Sequence, residues 1–447
     1  MVLRRASSAG LPGPDGGMFG RHLKAYEAAP AEYLAWCGRE YGDVFRFDTD
    51  VVVVNDPELI HRVLARTNRD SVPNANPLRG GRFPTPHQTR RWMQARQTAL
   101  AVLKPAALPA RLPLISQVVQ ADLRALEDQW FDPAERGWRI GVRALLPAYA
   151  PHPSPRLEEA LLDSFTQSSG NSIDRVPSWW PSRTRRRVEA ADQRLRDHIT
   201  FLLKDDTRPQ PTDQPADRPD GQPAGLVQIL REAPEPVPLD VAHGAAGMSA
   251  LGAIGTMGGA WCWLLYHLAT DPAARQRIRG EAAAAGPDAV CADPGRALPF
   301  TRAFVHEVLR VHPPAWLLGR DTITDTTLGG ARLRAGTAVM FSPYLLHHDP
   351  RWWTGLERFD PGRWSSGRRP HAPHAYLPFS TGPRGCLGTQ LGWDILLLTA
   401  AHLTTAYDIH VPDPQQIGTD FGPVLLPTGM TCRLTRRPAT TTAAARP

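Results

Sequence analysis

Apolar residues recur at helical spacing over most of the chain, and strict alternation is confined to short stretches. Residues 32–41 carry a helical pattern. Residues 43–48 then alternate, with Phe45 and Phe47 set against Arg46 and Asp48, and 51–55 is a run of valines closed by Asn55. Alternation predicts a half-buried strand and a continuous short apolar run a fully buried one. Pro57 opens a helix with Leu59, Ile60, Val63 and Leu64 on one face. Further helices are predicted at 90–103 (ended by Pro105), from 157, at 185–203 with Thr184 as N-cap, at 239–270, at 298–311 and at about 387–407. Short strands are expected within 328–341, and an irregular Pro- and aromatic-rich stretch spans 349–378. The pattern is mainly α with small β-sheets, arranged as one domain over 18–435. Residues 1–17 and 436–447 read as disordered tails. Residues 205–225, rich in Pro, Asp and Gln, read as a flexible loop inside the domain.

Composition narrows the class. The chain has 447 residues, 42% hydrophobic and 21% charged, enough to bury a cofactor. The net charge is +7, almost all from Arg, with Lys only at Lys24, Lys104 and Lys204. An Arg-for-Lys bias with abundant Ala and Pro fits a high-GC, actinobacterial source. The arginines are scattered and no nucleic-acid motif accompanies them, so nucleic-acid binding is not expected. Neither a signal peptide nor a membrane span is expected from the apolar runs. Cys37, Cys262, Cys291, Cys386 and Cys432 are widely spaced, without a zinc knuckle or a disulfide framework, as suits a reducing cytoplasm.

One cysteine sits in a dense motif, Phe379-Ser380-Thr381-Gly382-Pro383-Arg384-Gly385-Cys386-Leu387-Gly388. A thiolate ligand needs positive potential, and a following helix supplies it from its free N–H groups. Gly382 and Gly388 allow close backbone approach. This FxxGxRxCxG segment resembles the haem loop of the cytochrome P450 family. The resemblance implies the P450 fold, a haem b cofactor, Cys386 as axial iron ligand, Phe379 shielding the sulfur and Arg384 on a haem propionate. The other four cysteines read as structural.

Two further segments extend the resemblance. Glu307-Val308-Leu309-Arg310 is an ExxR, followed by Phe359-Asp360-Pro361-Gly362-Arg363-Trp364. In the family these pair as a buried clasp of Glu307, Arg310 and Arg363, structural in role. Trp92 and Arg96 form a WxxxR that places both side chains on one helix face, similar to the family's propionate-binding helix. Arg320 stands where another propionate contact is usual. His87 is a candidate to join them, or else a solvated loop histidine. His347 and His348 read as structural.

The oxygen-side helix departs from the family pattern. Its A/G-G-x-D/E-T segment aligns on Gly252-Ala253-Ile254-Gly255-Thr256. Gly252, Gly255, Thr256 and Gly259 share one helical stripe, leaving room for haem and oxygen. The resemblance makes Thr256 the residue that hydrogen-bonds dioxygen; the competing reading is a helix threonine bonded to its own i−4 carbonyl. Gly255 replaces the acid that normally relays protons. Water or a substrate hydroxyl could stand in, or the protein could use peroxide, or it could catalyse a rearrangement or nitrene-type group transfer. A non-catalytic haem-binding protein is a further alternative.

The resemblance is to soluble bacterial biosynthetic members acting as monooxygenases. Ala315, Trp316, Leu317, Leu318, Val424, Leu425 and Leu426 suggest an apolar pocket for a small lipophilic natural product. Trp179-Trp180 reads as a lid or a surface anchor. With no dinucleotide fingerprint in the chain, electrons are expected from a ferredoxin and its ferredoxin reductase, docking near Arg351, Arg358, Arg368 and Arg369. The protein is expected to be a monomer.

Overall fold

In the computed structural model the described residues are 10–15, 21–74, 86–149, 155–169, 182–204, 224–356, 358–365 and 367–438. The expected loop at 205–225 and Trp179-Trp180 fall almost wholly outside them. Helices dominate, and the longest, Leu239–Thr270, runs through the interior for 32 residues, about 48 Å at 1.5 Å per residue. It is apolar on nearly every side, as a helix surrounded by protein must be. By length and composition alone it could cross a bilayer, contrary to the expectation above that no stretch would, but 71% of its apolar window is buried within the fold.

Glycines set how closely its neighbours approach. The helix Pro133–Tyr149 crosses it with Gly137 against Gly258, and a Cβ at Gly137 would lie 2.9 Å from the Gly258 carbonyl oxygen. One turn on, a Cβ at Gly141 would lie 3.0 Å from the Ile254 oxygen. The crossing is therefore backbone against backbone. This helix, and Leu112–Arg124 before it, escaped the periodicity reading. Both carry a regular polar face, marked in Pro133–Tyr149 by Arg136, Arg139 and Arg143 one turn apart, so the pattern was present in the sequence and was passed over.

The main sheet has five strands in the order Val44–Asp48, Val51–Val54, Ala338–Phe341, Leu318–Thr322, Ser71–Asn74. Only the pairing of Val51–Val54 with Ala338–Phe341 is parallel. All four valines of Val51–Val54 are buried, as the unbroken apolar run requires. Pro73 is tolerated because its strand is at the edge. A three-stranded sheet joins Trp130–Phe131, Cys432–Arg436 and Tyr407–His410, and a C-terminal hairpin pairs Gly418–Phe421 with Leu425–Thr428.

Several boundaries move. Ser182, not Thr184, caps the helix Arg183–Lys204, its hydroxyl accepting the Arg185 N–H at 3.2 Å. The start of the expected C-terminal tail is paired: Arg436 closes a strand and the Arg437 N–H donates to the Ala406 carbonyl at 2.9 Å. Within the expected N-terminal tail, the Pro12 carbonyl accepts the Arg46 N–H at 2.8 Å, extending the sheet edge.

The clasp forms one hub. Glu307 is wholly buried on the helix Pro299–Val311. Its carboxylate accepts from Arg310 Nε and Nη2 (3.0 and 2.8 Å), Arg363 Nε (3.0 Å), Trp364 Nε1 (2.9 Å) and the Asp360 N–H (3.1 Å). Arg363 adds bonds to the Thr354 and Gly355 carbonyls at 2.6 Å. Removing the carboxylate would leave two buried guanidinium groups without a counter-charge, which costs about 3–5 kcal/mol. Glu307→Ala is therefore expected to accumulate as insoluble or haem-poor protein, and Glu307→Gln, which keeps the shape, to melt between it and the parent; thermal unfolding and the haem-to-protein absorbance ratio read both.

Buried histidines surround the hub. His267 stacks on Phe359 (3.9 Å, 16°), and burial, with the Arg310 charge, lowers its pKa to about 3. Burial, aided by Arg302 and His371, does the same to His306. An unfolded histidine titrates near ~6.5. As the pH falls from that value toward about 3, the unfolded chain takes up protons that the folded one refuses, so stability present at neutral pH is progressively lost. His267→Phe keeps the stack and removes the proton site; its urea midpoint should fall less steeply than the parent's between pH 7 and 4.

Candidate functional site

The cysteine loop is held by its own backbone before any side chain contributes. The Cys386 N–H donates to the Phe379 carbonyl and the Gly385 N–H to the Gly382 carbonyl, both at 2.9 Å. Gly382 has φ +75°, and a Cβ there would lie 2.4 Å from the Leu64 carbonyl oxygen, so conformation and space both demand glycine. Helix Thr389–Ala406 starts just beyond, with Gly388 as N-cap. Phe379 lies under the loop against Gly392 and Trp393.

Cys386 is the one exposed cysteine; Cys37, Cys262 and Cys432 are buried and Cys291 is half-buried. Although its surface is open, surrounding protein raises the thiol pKa by desolvation, while the Gly388 N–H, the Thr389 side chain and the Arg96 charge pull it down. Among the described residues no group of three or more His, Cys, Asp or Glu could hold a metal ion. A metal bound by Cys386 must bring most of its ligands with it, as a macrocycle does.

Three arginines from distant parts of the chain gather beside the loop. Arg384 lies 3.0 Å from the centre of the Trp92 ring and donates to Asn68 Oδ1 at 2.6 Å. Arg96 lies 5.7 Å from the centre of the same ring and donates to the Gly385 carbonyl. Arg320 is buried in the main sheet and donates to Thr67 Oγ1 at 3.1 Å and the Gly319 carbonyl at 2.8 Å. None has a carboxylate in ion-pair reach among the described residues. Burial, then Arg320 and Arg96, lowers the Arg384 pKa to about 9, and burial lowers that of Arg320 to about 10. Like charges this close need an anion between them. A porphyrin edge with two carboxylates answers that need, and with the open thiol the donor set fits haem.

The helix Pro86–Leu103 thus presents Trp92 and Arg96 together. His87 is exposed on its first turn and hydrogen-bonds to none of the arginines or their partners, nine residues and about 13 Å along the axis from Arg96. It is not brought to the cluster. Asn68 and Thr67, which orient Arg384 and Arg320, were missed. Asn68 adopts a left-handed conformation (φ 75°) that asparagine tolerates, and a turn-forming Thr-Asn dipeptide is the only trace of this in the sequence. His347 was read as structural without its reason: its Nδ1 lies 3.1 Å from the Arg310 carbonyl and its Nε2 accepts the Leu377 N–H at 2.8 Å. It bridges clasp helix and cysteine strand as the neutral tautomer with the proton on Nδ1.

On the long helix the glycine stripe divides. Gly252 is exposed, with nothing within 4 Å of an added Cβ. Thr256 is half-buried, and its hydroxyl donates to the Gly252 carbonyl at 2.8 Å, the back-bonded state weighed above. Gly255 and Gly259 do not leave room for haem or oxygen, as the stripe had suggested, because other side chains fill the space. A Cβ at Gly255 would meet Phe165 at 2.7 Å and Val424 at 2.9 Å; one at Gly259 would meet Val424 at 2.8 Å. The acid is not merely replaced at 255: its place is taken by an aromatic ring.

Other expected pocket residues also fall in the core. Trp316 and Leu425 are buried, the Trp316 N–H donating to the Gly422 carbonyl at 2.7 Å and the Leu425 carbonyl accepting from Trp263 at 3.1 Å. Ala315, Leu317, Leu318 and Leu426 remain half-buried. Arg351 is locked between Asp43 and Asp349 at 2.8 and 2.6 Å, so its charge is compensated, while Arg358, Arg368 and Arg369 are exposed.

A thiol loop at the start of a long helix, an arginine cluster without anions and a glycine-notched helix define a haem-thiolate class of protein. The family model described as Cytochrome P450 matches residues 154–430, and the chain belongs to the cytochrome P450 family, whose cofactor is haem b. It is 35% identical over 181 residues to cytochrome P450 4A22 of Homo sapiens, covering 39% of this chain and 34% of that protein. It thus matches about a third of that relative's length. Thromboxane-A synthase of Sus scrofa is 26% identical over 423 residues, 79% of this chain and 77% of that one. Among solved structures, the cytochrome P450DA heme domain superposes with a TM-score of 0.76 at 17% identity over 96% of this chain and 97% of that one. A cytochrome P450 designated CYP102L1 superposes with a TM-score of 0.75 at 21% identity, over 91% and 98%. These two likenesses concern the fold.

The notch at Gly255 makes its own prediction. Gly255→Asp forces side-chain atoms into Phe165 and Val424, an overpacking worth about 1–3 kcal/mol. Adding Phe165→Ala should recover much of the loss, in a urea-unfolding double-mutant cycle with a coupling energy of the same order.

Proposed function

We propose that this chain is a haem-thiolate monooxygenase that inserts one oxygen atom from dioxygen into a small lipophilic substrate, in natural-product biosynthesis. The observation that carries the reading is the pairing of one open thiol, Cys386, with three arginines, Arg96, Arg320 and Arg384, that have no carboxylate in ion-pair reach among the described residues. Cys386 would hold the iron through its sulfur, and the arginines, two of them lying against Trp92, would hold the propionates. Haem supplies the redox chemistry when bound. Burial raises the Cys386 thiol pKa, and the chain's own part is to oppose that with the Gly388 N–H, the Thr389 side chain and the Arg96 charge, and to orient the porphyrin by its acidic edge. Thr256, one turn from the open Gly252, is the candidate hydroxyl on the opposite face; it must release the Gly252 carbonyl to donate elsewhere.

Electrons come from separate proteins, a ferredoxin and its reductase, approaching exposed Arg358, Arg368 and Arg369 on a monomeric, cytoplasmic chain. Electrostatic docking would weaken as salt shortens the Debye length.

The filled notch at Gly255 favours a second reading beside the first: peroxide-driven, rearranging or group-transfer chemistry, none of which needs a carboxylate relay from that helix position. In either case proton delivery to the haem face must run through water or a substrate hydroxyl.

The thiolate reading is tested by the ferrous carbon monoxide spectrum of the parent and of Cys386→Ser. A long-wavelength Soret band in the parent, lost in the variant with haem retained, is expected; an unchanged spectrum in Cys386→Ser would overturn it. Turnover with reductase and dioxygen, set against peroxide alone, separates the two chemistries: dependence on both Thr256 and the reduced partner supports the monooxygenase.

A further inference from the structure

We propose that the rings of Trp393, Tyr376 and Trp364, with His306 among them, form a one-electron relay that carries oxidising equivalents from the Cys386 loop to the protein surface. The proposal rests on the haem-thiolate reading, because it needs a strong oxidant at that loop. The four rings come from separate segments. Trp393 lies on the helix Thr389–Ala406, His306 on the helix Pro299–Val311, Trp364 at the end of the short helix Pro361–Trp364, and Tyr376 just ahead of the cysteine loop. At the loop end, Phe379, whose carbonyl accepts the Cys386 N–H, has its ring centre 5.7 Å from that of Trp393. His306 is 4.2 Å from Trp393 and 4.6 Å from Trp364. Tyr376 is 4.7 Å from Trp364 and 5.6 Å from His306. These are the spacings of packed aromatic pairs, short enough for an electron to tunnel from ring to ring.

Indole and phenol rings give up one electron to a strong oxidant, whereas the Phe379 and His306 rings act as bridges. An oxidised phenol is a strong acid and persists only if a base takes its proton. The Tyr376 hydroxyl has such a base, His306 Nδ1, at 3.1 Å, with the His306 carbonyl also at 3.1 Å. Burial, then Arg302 and His371, lowers the His306 pKa to about 3. Its imidazole is therefore neutral at pH 7, and in the tautomer protonated on Nε2 it can accept at Nδ1. Trp353 also touches the group, 5.9 Å from Trp364, but the Arg310 guanidinium lies 5.6 Å over its ring and opposes a positive hole there. The Trp364 N–H instead donates to the Glu307 carboxylate at 2.9 Å. The hole thus settles on Tyr376 and Trp364, both half-buried, with exposed Ser365 next in the chain.

The direction follows from the chemistry of the rings. Taking an electron from Trp or Tyr requires a strong oxidant, so electrons from a weakly oxidising donor such as a ferredoxin cannot use them. Oxidising equivalents left by peroxide can. Without an outlet they fall on the Cys386 thiolate, whose oxidation beyond the first step is irreversible. In one passage Trp393 loses an electron, Tyr376 replaces it, and the phenolic proton moves to His306. A hydrogen-atom donor of the ascorbate class then restores the phenol from the surface, and His306 returns its proton to water. Two passages reduce one peroxide to two waters, the two electrons and two protons coming from two donor molecules.

The test is rapid-freeze electron paramagnetic resonance of the haem-loaded full chain mixed with hydrogen peroxide in the absence of substrate. The parent should give a phenoxyl signal that ring-deuterated tyrosine narrows and ascorbate quenches. Trp393→Phe should weaken the signal several-fold, and Tyr376→Phe should replace it with an indolyl signal. At equal haem content, repeated peroxide doses should bleach the Soret band several-fold faster in both variants than in the parent. No radical in the parent, a parent signal that ring-deuterated tyrosine does not narrow, or a phenoxyl signal undiminished in either variant would each overturn the proposal. The ferrous carbon monoxide spectrum of the same preparations tests the iron ligand separately, so a thiolate band without a radical counts against the relay alone.

Discussion

A carboxylate with no access to water, Glu307, accepts five N–H donors from two segments of the chain. Two of its partners are guanidinium groups buried with it, and its single negative charge is the counter-charge both share. Buried ion pairs of this kind are poor sources of stability compared with apolar packing, but losing one member is costly. That asymmetry makes the hub a positional constraint. From it the Arg310 carbonyl reaches His347, and His347 reaches the Leu377 N–H two residues ahead of Phe379. The sulfur's position is thus set through a continuous line of hydrogen bonds from the clasp.

The opposite charge problem is posed at the site. Arg96, Arg320 and Arg384 converge, two of them against Trp92, and among the described residues no carboxylate compensates their charge. Glu307 is surrounded by donors while these three lack an acid among the described residues, which suits them to an anion that is not part of the chain. The long helix shows a comparable division of labour. Gly258 admits the neighbouring backbone at Gly137, Gly255 and Gly259 admit Phe165 and Val424, and Gly247 and Gly252 stay open. One residue type thus does three jobs along one helix, and the proton route is shaped by which of them each glycine performs.

Much of this was legible in the linear chain. The cysteine loop, the ExxR with its downstream arginine and the WxxxR each place several chemically demanding residues at fixed short spacing, and short spacing survives folding. Helices with one polar face were legible for the same reason. Leu112–Arg124 and Pro133–Tyr149 were passed over although their polar residues recur at helical spacing. Asn68, Thr67 and the Gly385 carbonyl contribute to the arginine cluster across separations of some 250 to 320 residues, and no local pattern announces such partners. His87 was drawn in by nearness in sequence, yet helical rise carries it away from Arg96.

By itself the sequence determined the family, the haem-binding loop and the residues able to ligate iron and anchor an acidic porphyrin edge, because those follow from residue chemistry at short range. Only the tertiary structure decided which glycines face open space and which are filled, that Thr256 rests on its own helix and that Arg351 is already neutralised by Asp43 and Asp349. Each of these depends on what a distant segment brings within a few ångströms, and side-chain packing fixes that only once the chain has closed on itself.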